Sequence, residues 1–266
     1  MRRFQAFEIM DLPGCPAWVR AGEVDALRTL TSVVRVHRAT AALLAEVLRA
    51  HGERRVVDLC SGGIGPLAWL WRDVENHLGK SLQVTCTDRY PQLRALDALD
   101  DESRQRVCYH SEPVDAGDVP VELGGVRTIF EGFHHFTPAL AERVVGDAVQ
   151  KGAPLVIVEA TERSRWGFLV ASLAGLGAIM SAPLSRPRHR AAFRTARDLI
   201  FPAVPLALSI DGAMSALRTW TPTEIRAIAA PRLAPGWRVR SCSWRPLGVP
   251  LSAVVVEPTP REPFGG

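Results

Sequence analysis

Acids, glycines and a histidine pair fall where β-branched runs end, which is where an α/β protein presents groups to a ligand. Val56 to Pro66 reads VVDLCSGGIGP, a strand followed by an acid, a glycine turn and a helix start. Glycines there let backbone amides approach a ligand closely, and the helix N-terminus favours negative charge. The pattern predicts a nucleotide-like cofactor at Asp58, Cys60, Ser61, Gly62 and Gly63. Asp88 ends a second strand thirty residues after Asp58. A carboxylate at such a position accepts both hydroxyls of a ribose, so the two signals together suggest an adenosine-containing ligand. Arg89 follows directly and is taken with it.

A second group lies further along the chain. Glu131-Gly132-Phe133-His134-His135-Phe136 follows a fourth strand, at the edge where open α/β sheets bind ligands. Neutral imidazole titrates in the range useful for proton transfer, so His134 and His135 are the candidate catalytic residues. The plainer alternative is that one of them caps or packs the next helix. Adjacent side chains rarely enter one pocket, so the two are expected to differ. No further ligand at characteristic spacing accompanies the pair, and no metal site is expected. Glu131 and Glu159, at the end of a fifth strand, are substrate-side candidates, although Glu159 and the nearby Glu162 could equally pair with Arg163 or Arg165. Asp211 and Arg218 are polar residues in apolar surroundings seven positions apart, which places them on one face of a helix, as substrate contacts or as an ion pair.

The elements that must carry these residues follow from composition and period. A chain of 266 residues with 47% hydrophobic and 23% charged residues has the make-up of a globular protein, which excludes fibrous and disordered classes. Of its 32 basic residues only Lys80 and Lys151 are lysine, and the net charge is +4. Arg163 to Arg197 holds seven arginines and no acid, so the positive charge is local. No aromatic-studded basic groove or zinc-finger spacing goes with it, and nucleic acid is not an expected partner. Five cysteines without a C-x-x-C argue against a disulfide framework and fit a reducing cytoplasm. Glu8 and Asp11 interrupt the start before any apolar run of signal-peptide length develops, so export is not expected.

Strands are predicted at Arg55 to Leu59, Leu82 to Asp88, Arg106 to His110, Val126 to Glu131 and Pro154 to Ala160, with helices between them: five βα units and a mainly parallel sheet. Two helices precede the sheet, with Leu27, Leu30, Val34, Leu44 and Val47 at helical spacing before Gly52. The helix after the first strand starts at Pro66 and lines up Leu67, Leu70, Val74 and Leu78 before Gly79. Thr137-Pro138 is an N-cap with a following N1 proline, and Thr221 to Glu224 is a capping box. Trp237 to Arg245 and Leu251 to Glu257 form an antiparallel pair joined by a Pro/Gly turn. Between Glu162 and the capping box lie two nearly uncharged stretches, Gly167 to Leu184 and Leu199 to Leu217, separated by the arginine cluster. The chain thus divides into a helical cover (1–52), a cofactor-binding core (53–162), an insert (163–220), a final helix with two strands (221–257) and a tail (258–266). The insert would form either a lid over an apolar acceptor pocket or a hairpin on an anionic membrane surface.

Two cofactors suit this layout. Gly63-x-Gly65-x-x-Ala68 satisfies the relaxed dinucleotide fingerprint, which makes NAD the alternative. Asp58, placed before the turn to meet an ammonium group, and the antiparallel strand pair at the end suit S-adenosylmethionine better. The pattern resembles class I S-adenosylmethionine-dependent methyltransferases, in which an acid-x-Gly-x-Gly-x-Gly loop follows the first strand and an acid on the second binds ribose; Asp58, Gly62 and Asp88 match. DLCSGGIGP at 58–66, TDRYP at 87–91, EPVDAGDVP at 112–120, RTIFEGFHHFTP at 127–138 and DGAMSALRTWTP at 211–222 look like a bacterial group of these enzymes. Cys60 and Ile64 replace two of the loop's three glycines, and Gly63 and Gly65 are expected to compensate by a shift of one. The resemblance implies a Rossmann-like, doubly wound, seven-stranded sheet, mostly parallel with an antiparallel C-terminal strand. It also implies Asp115 as an acceptor for the adenine amino group, though a turn residue beside Gly117 and Pro120 is equally consistent. The implied activity is methyl transfer to O, N or S of a small, apolar metabolite; a non-catalytic cofactor-binding protein at a membrane surface is the other class that fits.

Overall fold

The computed structural model describes residues 1–5, 7–181 and 203–259. Its centre is a seven-stranded sheet, with β1 (Arg55–Asp58), β2 (Gln83–Cys86), β3 (Val107–Tyr109), β4 (Val126–Phe130), β5 (Leu155–Glu159), β6 (Trp237–Trp244) and β7 (Leu251–Pro258). The spatial order is β3-β2-β1-β4-β5-β7-β6. β1 to β5 are joined by parallel pairs, and β7 runs antiparallel to both β5 and β6. β4 and β5 are buried at every position, as strands covered by helices on both faces must be.

Successive side chains of a strand serve opposite cores. Val56, Val84 and Phe130 pack with Leu44, Leu70 and Trp71 on one face. Val57, Ile129 and Ile157 pack with Val144 and Ile225 on the other. The first layer is supplied by α2 (Ala41–Ala50) and α3 (Leu67–Leu78), the second by α5 (Pro138–Gln150) and the helix at Pro222–Ala229. The predicted stripe of α3 is buried throughout, and Gly79 ends that helix at φ 72°. Thr137 caps α5, and Thr221 and Glu224 make the reciprocal capping box. One buried charge sits inside the second layer. Arg127 of β4 donates to Asp147 of α5 at 2.6 Å.

The insert is helical where it is described. α6 (Arg165–Ser172), α7 (Ala174–Ser181) and α8 (Ala203–Arg218) pack with α1 (Ala17–Val34) into a separate layer. Gly175 and Gly212 make this packing close, since a Cβ on the first would overlap the Pro205 carbonyl and on the second the Ala171 carbonyl. The expected apolar stripe of α1 is corrected by this arrangement. Leu27 is exposed, and the helix buries Val19, Glu23, Ala26 and Thr29, because its partners are α7 and α8. Trp166 and Leu169 on α6, Leu173 between the helices, and Leu176 and Met180 on α7 are exposed. No described helix is long and apolar enough to cross a membrane. Arg186, Arg188, Arg190, Arg194 and Arg197 of the arginine cluster, and residues 260–266 of the tail, lie outside the described residues.

β1 has β2 on one side and β4 on the other, so the chain leaves β1 and β4 in opposite directions. This switch point opens a crevice at the carboxyl edge, bounded by the loops after those strands.

Candidate functional site

The loop after β1 repeats left-handed backbone at alternate residues: φ is 59° at Cys60, 46° at Gly62 and 72° at Ile64, followed by 30° at Gly65. These are the three glycine positions of the acid-x-Gly-x-Gly-x-Gly loop, so no shift of one residue occurs. Cys60 and Ile64 adopt a conformation that costs a residue with a Cβ about 1–2 kcal/mol. Ile64 is held there because its side chain is fully buried in the core beneath the loop. Ser61 and Thr128 hydroxyls donate to the two carboxylate oxygens of Asp58 at 2.7 and 2.6 Å. Burial pushes that carboxyl up to about 7 despite both hydrogen bonds. Asp58 therefore braces the loop from below.

Asp88 faces the loop from above. Its Oδ2 accepts from the Gly62 amide at 2.9 Å and its Oδ1 from the Tyr90 amide at 2.8 Å. The Val114 amide donates to the Asp88 carbonyl, which brings the next loop alongside. There Asp115 accepts from the Gly117 amide at 2.8 Å and from Arg143 at 3.1 Å. Cys60 lies among these acids; burial first, then the charges of Asp88, Asp58 and Asp115, push its thiol far up. The structure thus gathers Asp58, Cys60, Ser61, Gly62, Asp88 and Asp115. Gly63 points elsewhere, since a Cβ there would meet Val24 and Arg28 of α1. Arg89 and Tyr90 are exposed.

Across the crevice, Glu131 takes φ 55° and Phe133–His135 forms a single 3-10 turn. A Cβ on Gly132 would stand 3.2 Å from the Cys60 side chain, so the turn directly abuts the cofactor-side loop. Glu159 accepts from the His134 amide at 3.0 Å and lies 2.7 Å from its Nδ1. Burial lowers the His134 imidazole to about 3 and raises the Glu159 carboxyl to about 7. The imidazole is accordingly neutral. His135 is the more accessible ring, at 33% of its side chain against 5% for His134. The 3-10 turn brings the two rings to centroids 4.4 Å apart and turns both toward Glu8, while they differ in burial.

Glu8, His37, Arg3 and Thr128 have no signal in the sequence, since only chain crossing places them here. Glu8 is buried at 2% exposure; Ser215 Oγ donates to its Oε1 at 2.8 Å, and Arg218 Nη1 pairs with the same oxygen across 3.5 Å. Arg3 donates to the carbonyls of His134, Phe136 and Arg218 and stacks on Trp220. His37 lies 2.8 Å from Glu131, which also accepts from the Ala160 amide. Arg218 donates to the His135 carbonyl, and Asp211 accepts from the Ile9 and Met10 amides at 2.6 and 3.0 Å. Those two residues share α8 as the spacing implied, and Asp211 serves to clamp the N-terminal segment. Glu162 and Arg163 pair elsewhere, with Arg245 and Glu224.

No family model matches the sequence, and no curated protein is significantly similar to it. Solved structures are. Human N-acetylserotonin methyltransferase in complex with S-adenosylmethionine aligns with 96% of this chain at 12% identity and a TM-score of 0.52. The fold is that of class I methyltransferases. The mitomycin 7-O-methyltransferase MmcR aligns with 84% of the chain at 16% identity and a TM-score of 0.46. The methyltransferase domain of a bacterial Hen1 aligns with 83% at 14% identity and a TM-score of 0.48. The chain spans 63% of the human protein, 54% of MmcR and 98% of the Hen1 domain.

Proposed function

We propose that this chain transfers a methyl group from S-adenosylmethionine to O, N or S of a small, apolar metabolite. The observation that carries the reading is the loop after β1, left-handed at Cys60, Gly62 and Ile64 and tied through the Gly62 amide to Asp88, at the switch point of a methyltransferase-type sheet. Each oxygen of Asp88 accepts one amide and keeps a lone pair free for a ribose hydroxyl. Asp115 stands beside it for the adenine, and Asp58 positions the loop. This geometry and the antiparallel β7 favour S-adenosylmethionine over NAD.

When bound, S-adenosylmethionine supplies a methyl group made electrophilic by its sulfonium. Bound there, it would give up that methyl to an acceptor lone pair, the electron pair of the broken carbon–sulfur bond leaving with the thioether. The acceptor's proton passes to His135, the accessible ring of the pair. His134 is a positioning residue, held neutral and oriented by Glu159. The α6–α8 layer with α1 covers the crevice and excludes water.

Calorimetric titration with S-adenosylmethionine and with NAD separates the two cofactors. Turnover on an acceptor panel separates an enzyme from a binding protein. His135→Ala should lower turnover by about a hundredfold or more while leaving cofactor affinity intact. Full turnover in that variant at every pH would remove His135 from the reaction. The exposed Trp166, Leu169, Leu173, Leu176 and Met180 support a second reading, in which the insert also rests on an anionic membrane. Salt-sensitive flotation with anionic liposomes is its test.

A further inference from the structure

The acceptor side of the site holds a donor arrangement that proton transfer alone does not use. Glu8, His134 and His135 each offer one ligand atom, all within 4.8 Å of one another; no other three His, Cys, Asp or Glu residues do so among the described residues. His134 Nε2 lies 3.6 Å from one oxygen of Glu8, and His135 Nε2 lies 3.6 Å from the other. Such separations are too long for nitrogen–oxygen hydrogen bonds, whose usual length is about 2.9 Å. Bonds of about 2.0–2.2 Å at tetrahedral angles place ligand atoms roughly 3.3–3.6 Å apart, so each imidazole, with the Glu8 oxygen that it faces, has the spacing of two donors on one cation, and all three residues lie within 4.8 Å.

The second row of contacts agrees. His134 Nδ1 sits 2.7 Å from the Glu159 carboxylate, so the ring proton belongs on Nδ1 and the Nε2 lone pair faces Glu8. A histidine whose far nitrogen is held by a carboxylate is the arrangement that orients a metal ligand. Glu8 and His134 are nearly inaccessible, and Ser215 and Glu159 fix their orientations. Arg218 Nη1, 3.5 Å from Glu8 Oε1, is the competing cation; it and the Ser215 hydroxyl approach the same oxygen that faces His134, while Oε2 faces His135.

We propose that Glu8, His134 and His135 bind one divalent first-row transition-metal ion of the zinc type at the acceptor edge of the crevice. Two imidazoles and one carboxylate select such an ion over magnesium or calcium, which prefer all-oxygen sites. Three protein ligands leave a position open, the arrangement of reactive rather than structural sites. The role of the ion rests on the methyltransferase reading. Next to the Cys60 loop it would act as a Lewis acid toward an acceptor oxygen, easing loss of the acceptor's proton to water, and His135 would then be a ligand instead of the group that takes that proton.

The test uses the full chain, stripped with a chelator and dialysed. Calorimetric titration with zinc chloride should show one equivalent bound with a dissociation constant below about 1 µM. Cobalt chloride should give the visible absorption of a four- or five-coordinate ion. Glu8→Gln and His135→Ala should each weaken zinc at least thirtyfold, and Glu159→Gln about tenfold to a hundredfold. His51→Ala, on the far side of the molecule beside Glu257, should leave binding unchanged. Absence of stoichiometric zinc binding to the unmutated chain overturns the proposal, as does undiminished binding in melting-competent Glu8→Gln and His135→Ala. Titration with S-adenosylmethionine runs in parallel. Zinc binding without cofactor binding would leave the metal site standing and overturn the methyltransferase reading; the converse would overturn only the metal site.

Discussion

Truncating Asp88 to alanine removes three things at once: the acceptor for the Gly62 amide, the acceptor for the Tyr90 amide, and the carboxylate assigned to ribose. Asp88 is half-buried, so water reaches both freed amides and the stability cost stays near 1–2 kcal/mol. Binding should suffer more. A charge-assisted hydrogen bond to ribose contributes about 1.5–3 kcal/mol, a tenfold to hundredfold change in affinity. The released loop adds to this, because Gly62 is left-handed and Asp88 is its tether from above. Asp88→Asn keeps one carbonyl acceptor but turns an amino group toward the other amide, so it should lose about tenfold. Calorimetry with S-adenosylmethionine, alongside thermal melting, measures both effects. An Asp88→Ala protein that melts cooperatively and binds with unchanged affinity would refute the assignment of this residue and the loop geometry built on it.

Four further outcomes follow from the packing. Glu23 is buried, and burial, followed by the charges of Asp211 and Glu8 and a side-chain hydrogen bond with Asp211, against a weaker pull from Arg20, raises its carboxyl to about 8. The folded state therefore holds that proton more tightly than the unfolded chain, and stability falls as pH rises from about 4.5 to about 8. Glu23→Gln should raise the melting temperature more at pH 8 than at pH 5, and an equal change at both would count against it. Cys60→Gly should be within about 1 kcal/mol of neutral, since relief of the left-handed backbone offsets the flexibility of glycine. Ile64→Gly gains the same relief but empties a fully buried site, so urea unfolding should show a loss above about 2 kcal/mol. Asp147→Ala strands the Arg127 guanidinium, which is 2% exposed, and should cost about 3–5 kcal/mol by the same measurement.

Local chemistry made most of the architecture legible. Val56-Val57-Asp58, the glycine turn and Pro66 read as a strand, loop and helix because each step depends only on neighbours: β-branched side chains, left-handed backbone and a preset proline φ. The caps at Thr137 and Thr221 and the stop at Gly79 are local in the same sense, and all three are present. Asp88 and the histidine pair could be placed at the carboxyl edge because strand ends in a parallel sheet share one edge.

What sequence order could not supply was contact between distant segments. Glu8 reads as an acid in an N-terminal stretch; only Asp211, which clamps the Ile9 and Met10 amides, and Ser215 bring it to the histidines. The buried face of α1 was misread because hydrophobic spacing assumes a sheet beneath the helix, whereas α1 packs on α7 and α8, with Gly22 against Val204 and Leu30 against Gly177, and buries Glu23 and Thr29. The register of the β1 loop was likewise decided in three dimensions. Glycine count favoured a shift to Gly63 and Gly65, but the core beneath captures the Ile64 side chain, α1 covers Gly63, and the left-handed positions stay at Cys60, Gly62 and Ile64. Residue types and local spacing determined which chemistry the chain could attempt; tertiary packing determined which side chains meet, because burial and close backbone approach are properties of surfaces brought together from opposite ends of the chain.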